Sequence, residues 1–176
     1  MTVLHSERIT AREFRLTDIT YLRHYHANPL YLEHYDTPPD TEHIVQTAIA
    51  WSAELPRSNF QLAICLKNSD EPIGSIGLRG KGYLRNEAEI GIEVDPNHWG
   101  QGIAHEALGL VFDFAKSLGV VKLHSNTKVT NKRAQRLIES FGFSKYDAVG
   151  QSEIFSVSVN SPKANNTTRS LFRLLR

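Results

Sequence analysis

The sequence predicts an α+β fold: one mostly antiparallel, twisted sheet of about seven strands, with a single parallel pair inside it, flanked by about four helices. Three observations predict it. Phe60 to Val94 carries three strand-like runs whose connections are too short to join anything but antiparallel neighbours. Glu87 to Lys128 reads as strand, glycine-bearing turn, helix and strand, and a helical crossover between neighbouring strands makes them parallel. The 176 residues, 40% apolar and 22% charged, suit one domain over residues 1–176, with a sizeable core and neither an internal repeat nor an interdomain linker.

Taken in order, Ile9 to Arg15 reads as the first strand. Leu16-Thr17-Asp18 leads into a helix bearing Ile19, Tyr21, Leu22 and Tyr25, with Thr17 or Asp18 able to cap its free amides. That helix stops before Asn28-Pro29, and the prolines Pro38 and Pro39 make Tyr31 to Pro39 a loop or short turn. Asp40-Thr41 opens a second helix to about Leu55, its apolar side supplied by Ile44, Val45, Ala48, Ile49 and Trp51. Strands follow at Phe60–Leu66, Ile73–Leu78 and Ala88–Val94. The central helix carries Ala104, Ala107, Leu108, Val111, Phe114 and Leu118 at helical spacing and ends at Gly119, and Val121–Lys128 returns to the sheet. Asn131 opens a short helix closed by Gly142. Ser152 to Val159 and Ser170 to Leu175 read as a terminal hairpin across the polar segment Asn160 to Thr168.

Composition removes several function classes. A formal charge of +1 gives no basis for nucleic-acid or membrane binding. Eight histidines are present without His-Glu-x-x-His or paired cysteines, so no metal is expected. The single Cys65 lies in the apolar run Leu62 to Leu66 and reads as a small buried hydrophobe. The N-terminal residues lack a signal-peptide layout and no apolar run approaches the roughly 20 residues of a membrane span, so a cytoplasmic setting is expected.

The chemistry concentrates where strand meets helix. After the Asp95-Pro96-Asn97 turn, Gly100-Gln101-Gly102 feeds a helix whose first-turn amides have no intrahelical partners. Such amides, reinforced by the helix dipole, favour a phosphate, although an ordinary helix start would also tolerate these glycines. A dinucleotide fingerprint would need glycine where His105 stands, and no Lys-Ser or Lys-Thr follows as in a P-loop.

Trp99-Gly100-Gln101-Gly102-Ile103-Ala104 followed by Glu106-Ala107 resembles the pyrophosphate loop of the GNAT (Gcn5-related N-acetyltransferase) superfamily. The general pattern is Gln/Arg-x-x-Gly-x-Gly/Ala, and the tryptophan variant is similar to the branch of ribosomal-protein N-terminal (RimJ/RimL-like) acetyltransferases. Asn131-Lys132-Arg133-Ala134, on a helix ending in Gly142-Phe143, resembles a second superfamily segment, and the strand order matches the GNAT fold over nearly the whole chain.

The resemblance implies acetyl-CoA as co-substrate, held by Trp99, Gly100, Gln101, Gly102, Ile103 and Ala104, by Asn131, and by the main chain of Ile92 and Val94 where the parallel pair splays. It implies an amine acceptor, small molecule or peptide. Removing the amine's proton calls for a base. Glu89, ten residues before Trp99 as in similar enzymes, is the first candidate and Glu93, on the same strand face, the second. Burial of that face would raise a carboxyl pKa. His24, His26, His34 and Tyr35 fall in the region that shapes the acceptor site in relatives. Where many relatives carry a thiolate-protonating tyrosine this chain has Ile138, which leaves a non-catalytic acyl-CoA-binding or ribosome-associated module as the alternative. A mononucleotide-binding protein is a third reading, and oligomeric state is open.

Overall fold

The computed structural model describes residues 1–80 and 82–161. Strands β1 (Val3–His5), β2 (Ile9–Glu13), β3 (Asn59–Leu66), β4 (Pro72–Arg79), β5 (Glu87–Val94), β6 (Lys122–Lys128), β7 (Ser144–Val149) and β8 (Ser152–Ser158) form one sheet. Their order is β1-β2-β3-β4-β5-β6-β8-β7, and β5–β6 is its parallel pair. Among the described residues five helices accompany them: α1 (Ile19–His26), α2 (Pro29–Leu32), α3 (Thr41–Ser52), α4 (Ile103–Ser117) and α5 (Lys132–Ser140). Among the described residues no helix is long and apolar enough to cross a membrane.

Strand alternation divides the side chains between two layers. On one face Leu62, Ile64, Ile76, Leu78, Ile90 and Leu123 pack against Ala107, Leu108, Val111 and Phe112 of α4 and Ile138 of α5. On the other face Ala63 and Cys65 meet Leu22, Tyr25, Tyr31, Val45 and Ala48 from α1, α2 and α3. Each large apolar side chain removed from water this fully stabilises the fold by roughly 1.5–3 kcal/mol. The two helices of the first layer end alike. Val120 N–H reaches the Ala115 carbonyl (3.0 Å) and Phe143 N–H the Ile138 carbonyl (3.2 Å), with Gly119 and Gly142 at φ +78° and +85° supplying the left-handed residue that this closure needs.

Three elements differ from expectation. β1 is three residues long, too short for a periodicity to register. Tyr31 sits on the one-turn helix α2, capped by the Asn28 side chain. β8 pairs with β6 and with the unanticipated β7, joined by the two-residue turn Gly150-Gln151; the hairpin strand expected at Ser170 to Leu175 lies outside the described residues. β7 is exposed along its whole length, so its sequence carries no alternation to read.

Candidate active site

β5 and β6 pair only at Glu87–Lys122, Ala88–Leu123 and Glu89–His124, and beyond these three positions the strands part. The Asn86 carbonyl accepts from Val121 on the β6 side (2.8 Å), and Asp95 N–H donates to Ile73 on the β4 side (2.8 Å). Main-chain groups of successive residues turn to opposite strand edges. Ile90, Ile92 and Val94 therefore turn theirs into the gap. The Val94 carbonyl there accepts the Trp99 indole N–H (2.7 Å), so Trp99 pins the glycine loop to the end of β5. A cavity of about 1170 Å³ runs through the gap, larger than the roughly 300–1,000 Å³ of a single-ligand pocket.

One half of this cavity is made mostly of backbone. Gly100 and Gly102 have φ of +76° and +77°, which L side chains rarely adopt. Gly102 is the N-cap of α4 and offers no side chain to it. Glu106 N–H donates to the Gly102 carbonyl (3.0 Å) as the first bond of the helix, so the amides of Ile103, Ala104 and His105 have no partner within it. Uncapped amides at the positive end of a fifteen-residue helix suit an anion. Burial lowers the His105 pKa, which keeps a second positive charge out of this turn.

The loop is held from behind by Glu106 together with Ser6 and Arg8, which the sequence reading passed over. Arg8 donates through Nη1 to the Gln101 carbonyl (2.8 Å) and through Nε to Glu106 (2.7 Å), and Glu106 also accepts from the Arg8 amide (2.9 Å) and the Ser6 hydroxyl. Burial acts to raise the Glu106 pKa, but these donors outweigh it and hold the carboxyl below its usual range. Gln101, expected among the cofactor-binding residues, takes part in this clamp through its carbonyl. It does not line the cavity, and its side chain donates to the Asn97 carbonyl (3.1 Å).

α5 closes this half. Asn131 Oδ1 accepts from Ala134 N–H (3.0 Å), capping the helix, while Asn131 lines the cavity. Arg133 lies over the Trp99 ring (4.7 Å), and Arg136 also lines the wall. Ile138 is buried at the cavity edge and presents no hydroxyl.

The other half is made of side chains. Glu93, with 15% of its side chain exposed, accepts from Tyr25 (3.0 Å), Ser75 (2.8 Å) and Tyr31, and His26 Nε2 stands 3.4 Å away. Tyr31 has one hydroxyl proton and the carboxylate is the stronger acceptor, so in its 2.8 Å contact with Tyr35 the latter donates. Burial acts to raise the Glu93 pKa, yet the hydrogen bonds from His26, Tyr31 and Ser75, with the His26 charge, leave it lowered. For Glu93 this corrects the expectation that burial would raise a carboxyl of the acidic face. Burial first, then the Glu93 charge, pushes Tyr35 up to about 12.

Glu89, the first candidate base, stands apart from Glu93. It is paired with Arg79 (2.6 Å), accepts from Tyr83 (3.0 Å), and does not line the cavity, whereas Glu93 does. His34 and Tyr35 line it, His26 sits behind Glu93 against Thr41 (2.8 Å), and His24 is exposed on α1 away from the cavity. Sequence reasoning also missed Tyr31, Ser75 and Arg79, although mid-strand glycines at 77 and 91 signalled a close approach there. Among the described residues no group of three or more potential ligands is placed to hold a metal.

Comparison with known proteins accords with this geometry. The sequence model of the acetyltransferase (GNAT) domain family matches residues 8–144. The uncharacterised N-acetyltransferase p20 of Bacillus licheniformis is 29% identical over 151 residues, spanning 82% of this chain and 84% of that protein. RimJ of Mycobacterium smegmatis, solved in complex with CoA-disulfide, superimposes with a TM-score of 0.76 at 16% identity, covering 96% of this chain and 94% of that one. A GCN5-related N-acetyltransferase from Brucella melitensis gives a TM-score of 0.77 at 17% identity over 99% of this chain and 86% of that one. At such identities the structural likeness speaks for the fold, and the family match speaks for the chemistry: the chain belongs to the GNAT family and is an N-acetyltransferase of it.

Proposed function

We propose that residues 1–176 form one acetyl-CoA-dependent domain that acetylates a primary amine, on a small molecule or a peptide N-terminus, by direct attack in a ternary complex. The observation that carries this reading is the gap between β5 and β6 lying beside the uncapped start of α4. Bound acetyl-CoA supplies the thioester carbonyl that the amine attacks; the new C–N bond replaces the C–S bond, and CoA leaves as its thiolate. The amides of Ile103 and Ala104 hold the pyrophosphate, with Arg133 and Arg136 adding positive charge. Ile92 pairs its main chain with the pantetheine arm as an added strand would, and Val94 offers its amide, its carbonyl already holding Trp99. Asn131, its Oδ1 committed to the cap, presents its amide nitrogen.

Glu93 draws the acceptor amine to the cavity floor. A carboxyl held below its usual range is a weak base, so Glu93 orients the acceptor amine, and the molecules that attack are those whose ammonium has already released its proton to bulk solvent. Glu89 serves the site through Arg79. With Ile138 in place of a tyrosine, the thiolate leaves without a proton from that position. Positioning and preorganised amides then supply most of the rate enhancement.

Calorimetry with CoA, followed by a thiol-release assay on a panel of amines, tests the proposal. Micromolar CoA binding and release with at least one amine are expected. No CoA binding would overturn it, and binding without release for any amine would favour the non-catalytic alternative that Ile138 suggests.

A further inference from the structure

β4 and β5 each carry a glycine in mid-strand, Gly77 and Gly91, and the two are partners across the ladder. Glycine weakens a strand unless something uses the space it leaves. Here the Arg79 guanidinium uses it. A Cβ on Gly77 would meet Gln61 Oε1 first and stand 2.7 Å from Arg79 Nη1, and one on Gly91 would stand 2.5 Å from Nη2. The guanidinium therefore lies on a floor of two glycines. Glu89 Oε1 holds it there, 2.6 Å from Nη2 and 3.2 Å from Nε, and Gln61 Oε1 accepts from Nη1 (3.1 Å).

The bonding continues in one direction. The Gln61 amide donates to Ser75 (2.9 Å), and Ser75 donates to Glu93 (2.8 Å). Arg79, Gln61, Ser75, Gly91 and Glu93 all line the cavity. Its floor thus has a cation at one end and an anion at the other, joined by donors that all point toward the anion. Gly91 and Glu93 are two residues apart on one strand face, so the separation is roughly 7 Å.

We propose that this floor selects an acceptor that is itself dipolar, its amine at Glu93 and a carboxylate a few bonds away on Arg79, as in a free amino acid. The assignment rests on the acetyl-transfer reading above and narrows it. A planar guanidinium fixed by Glu89 and Gln61 is a preorganised carboxylate fork. A polyamine would bring a second cation against Arg79, and a protein N-terminus would bring a neutral amide. Glu89 is a positioning residue in this scheme, setting the pose of Arg79 without touching substrate.

The test compares free α-amino acids with their carboxamides, and with spermidine, at saturating acetyl-CoA. In the wild type, kcat/KM for the acid should exceed that for its amide by about 10- to 100-fold, the range of one charge-assisted hydrogen bond. Arg79→Gln should bring that ratio close to one. Gly91→Ala keeps every charge but drives a Cβ into Nη2, and should lower the ratio in the same way, with calorimetric CoA affinity unchanged in both variants. The inference is overturned by equal use of acid and amide in the wild type, by a ratio that neither variant alters, or by CoA binding without transfer to any amino acid. Loss of CoA binding in the wild type would instead overturn the acetyl-transfer reading itself.

Discussion

The two halves of the cavity are built by different means. The cofactor half uses main-chain groups: two left-handed glycines, three uncapped helix amides and a strand edge without a neighbour. The acceptor half uses side chains from α1, α2, β3, β4 and β5, gathered around Glu93 and Arg79 from distant parts of the sequence. Backbone groups come with every residue, so a cofactor site needs only the right turn to expose them. Side-chain sites need particular residues at each place, and that half can change its ligand while the fold stays the same.

The largest expected effect breaks the backbone half alone. Gly102→Glu forces a side chain into a left-handed conformation and sets a carboxylate at the start of α4, with the added Cβ 3.3 Å from Arg8 Nη2. CoA affinity should fall by more than about 100-fold, since an anion now occupies the anion site. Wild-type affinity by calorimetry would show that these amides do not hold the phosphates.

A second comparison breaks the side-chain half. Glu93→Gln places an amide among donors from Tyr25, Tyr31 and Ser75, and kcat/KM for the amine should drop by about 100-fold with CoA affinity intact. Glu89→Gln, outside the cavity, should change turnover of an amine lacking a carboxylate by no more than about fivefold, as for a part-exposed ion pair. The wild-type rate should rise with pH through the titration of the acceptor amine. A larger loss in Glu89→Gln than in Glu93→Gln would reverse the roles assigned to the two glutamates.

The contrast also explains what the sequence disclosed. Trp99 to Ala104 and Asn131 to Ala134 were legible because a turn that exposes amides and a residue that caps a helix act within a few positions of one another. The meander β3 to β5 was legible through alternation and short turns. Glu89 was preferred to Glu93 because spacing along one strand ignores neighbouring strands; Ser75, directly opposite Glu93, and Arg79, opposite Glu89, decide which carboxyl meets the cavity. Arg8 and Glu106 are 98 residues apart, a separation no local pattern spans. Gly150-Gln151 was a readable hairpin signal, but the wholly exposed β7 beside it hid the strand.

A smaller effect couples the cofactor loop to the β1–β2 hairpin. Glu106 has a lowered pKa, so its stabilising contribution is fully present above the ordinary carboxyl value, about 4.3, and is lost as pH falls through the folded value. Glu106→Gln should cost about 1–2 kcal/mol at pH 7, a low figure for a charged hydrogen bond because Arg8 is half exposed. The difference from wild type should shrink below pH 4. Urea unfolding at pH 7 and pH 3 measures it, and a gap of equal size at both would mean that the carboxylate charge contributes nothing.

The smallest expected effect asks whether Asn131 belongs to the backbone half or only supports it. Its Oδ1 accepts from Ala134 N–H at 3.0 Å, a bond that stabilises α5 whether or not a ligand is present. Asn131→Ala should lower stability by about 1 kcal/mol, the usual cost of removing such a cap. Asn131→Asp separates the two roles, because a carboxylate caps the helix as well as an amide does but has no N–H to donate and adds negative charge beside the CoA path. The aspartate variant should keep wild-type stability and bind CoA more weakly by about tenfold, the loss of one hydrogen bond to a charged or strongly polar partner. Wild-type CoA affinity in Asn131→Asp, together with lost stability in Asn131→Ala, would leave this residue with capping alone, and the contacts of α5 with the cofactor would then rest on Arg133 and Arg136.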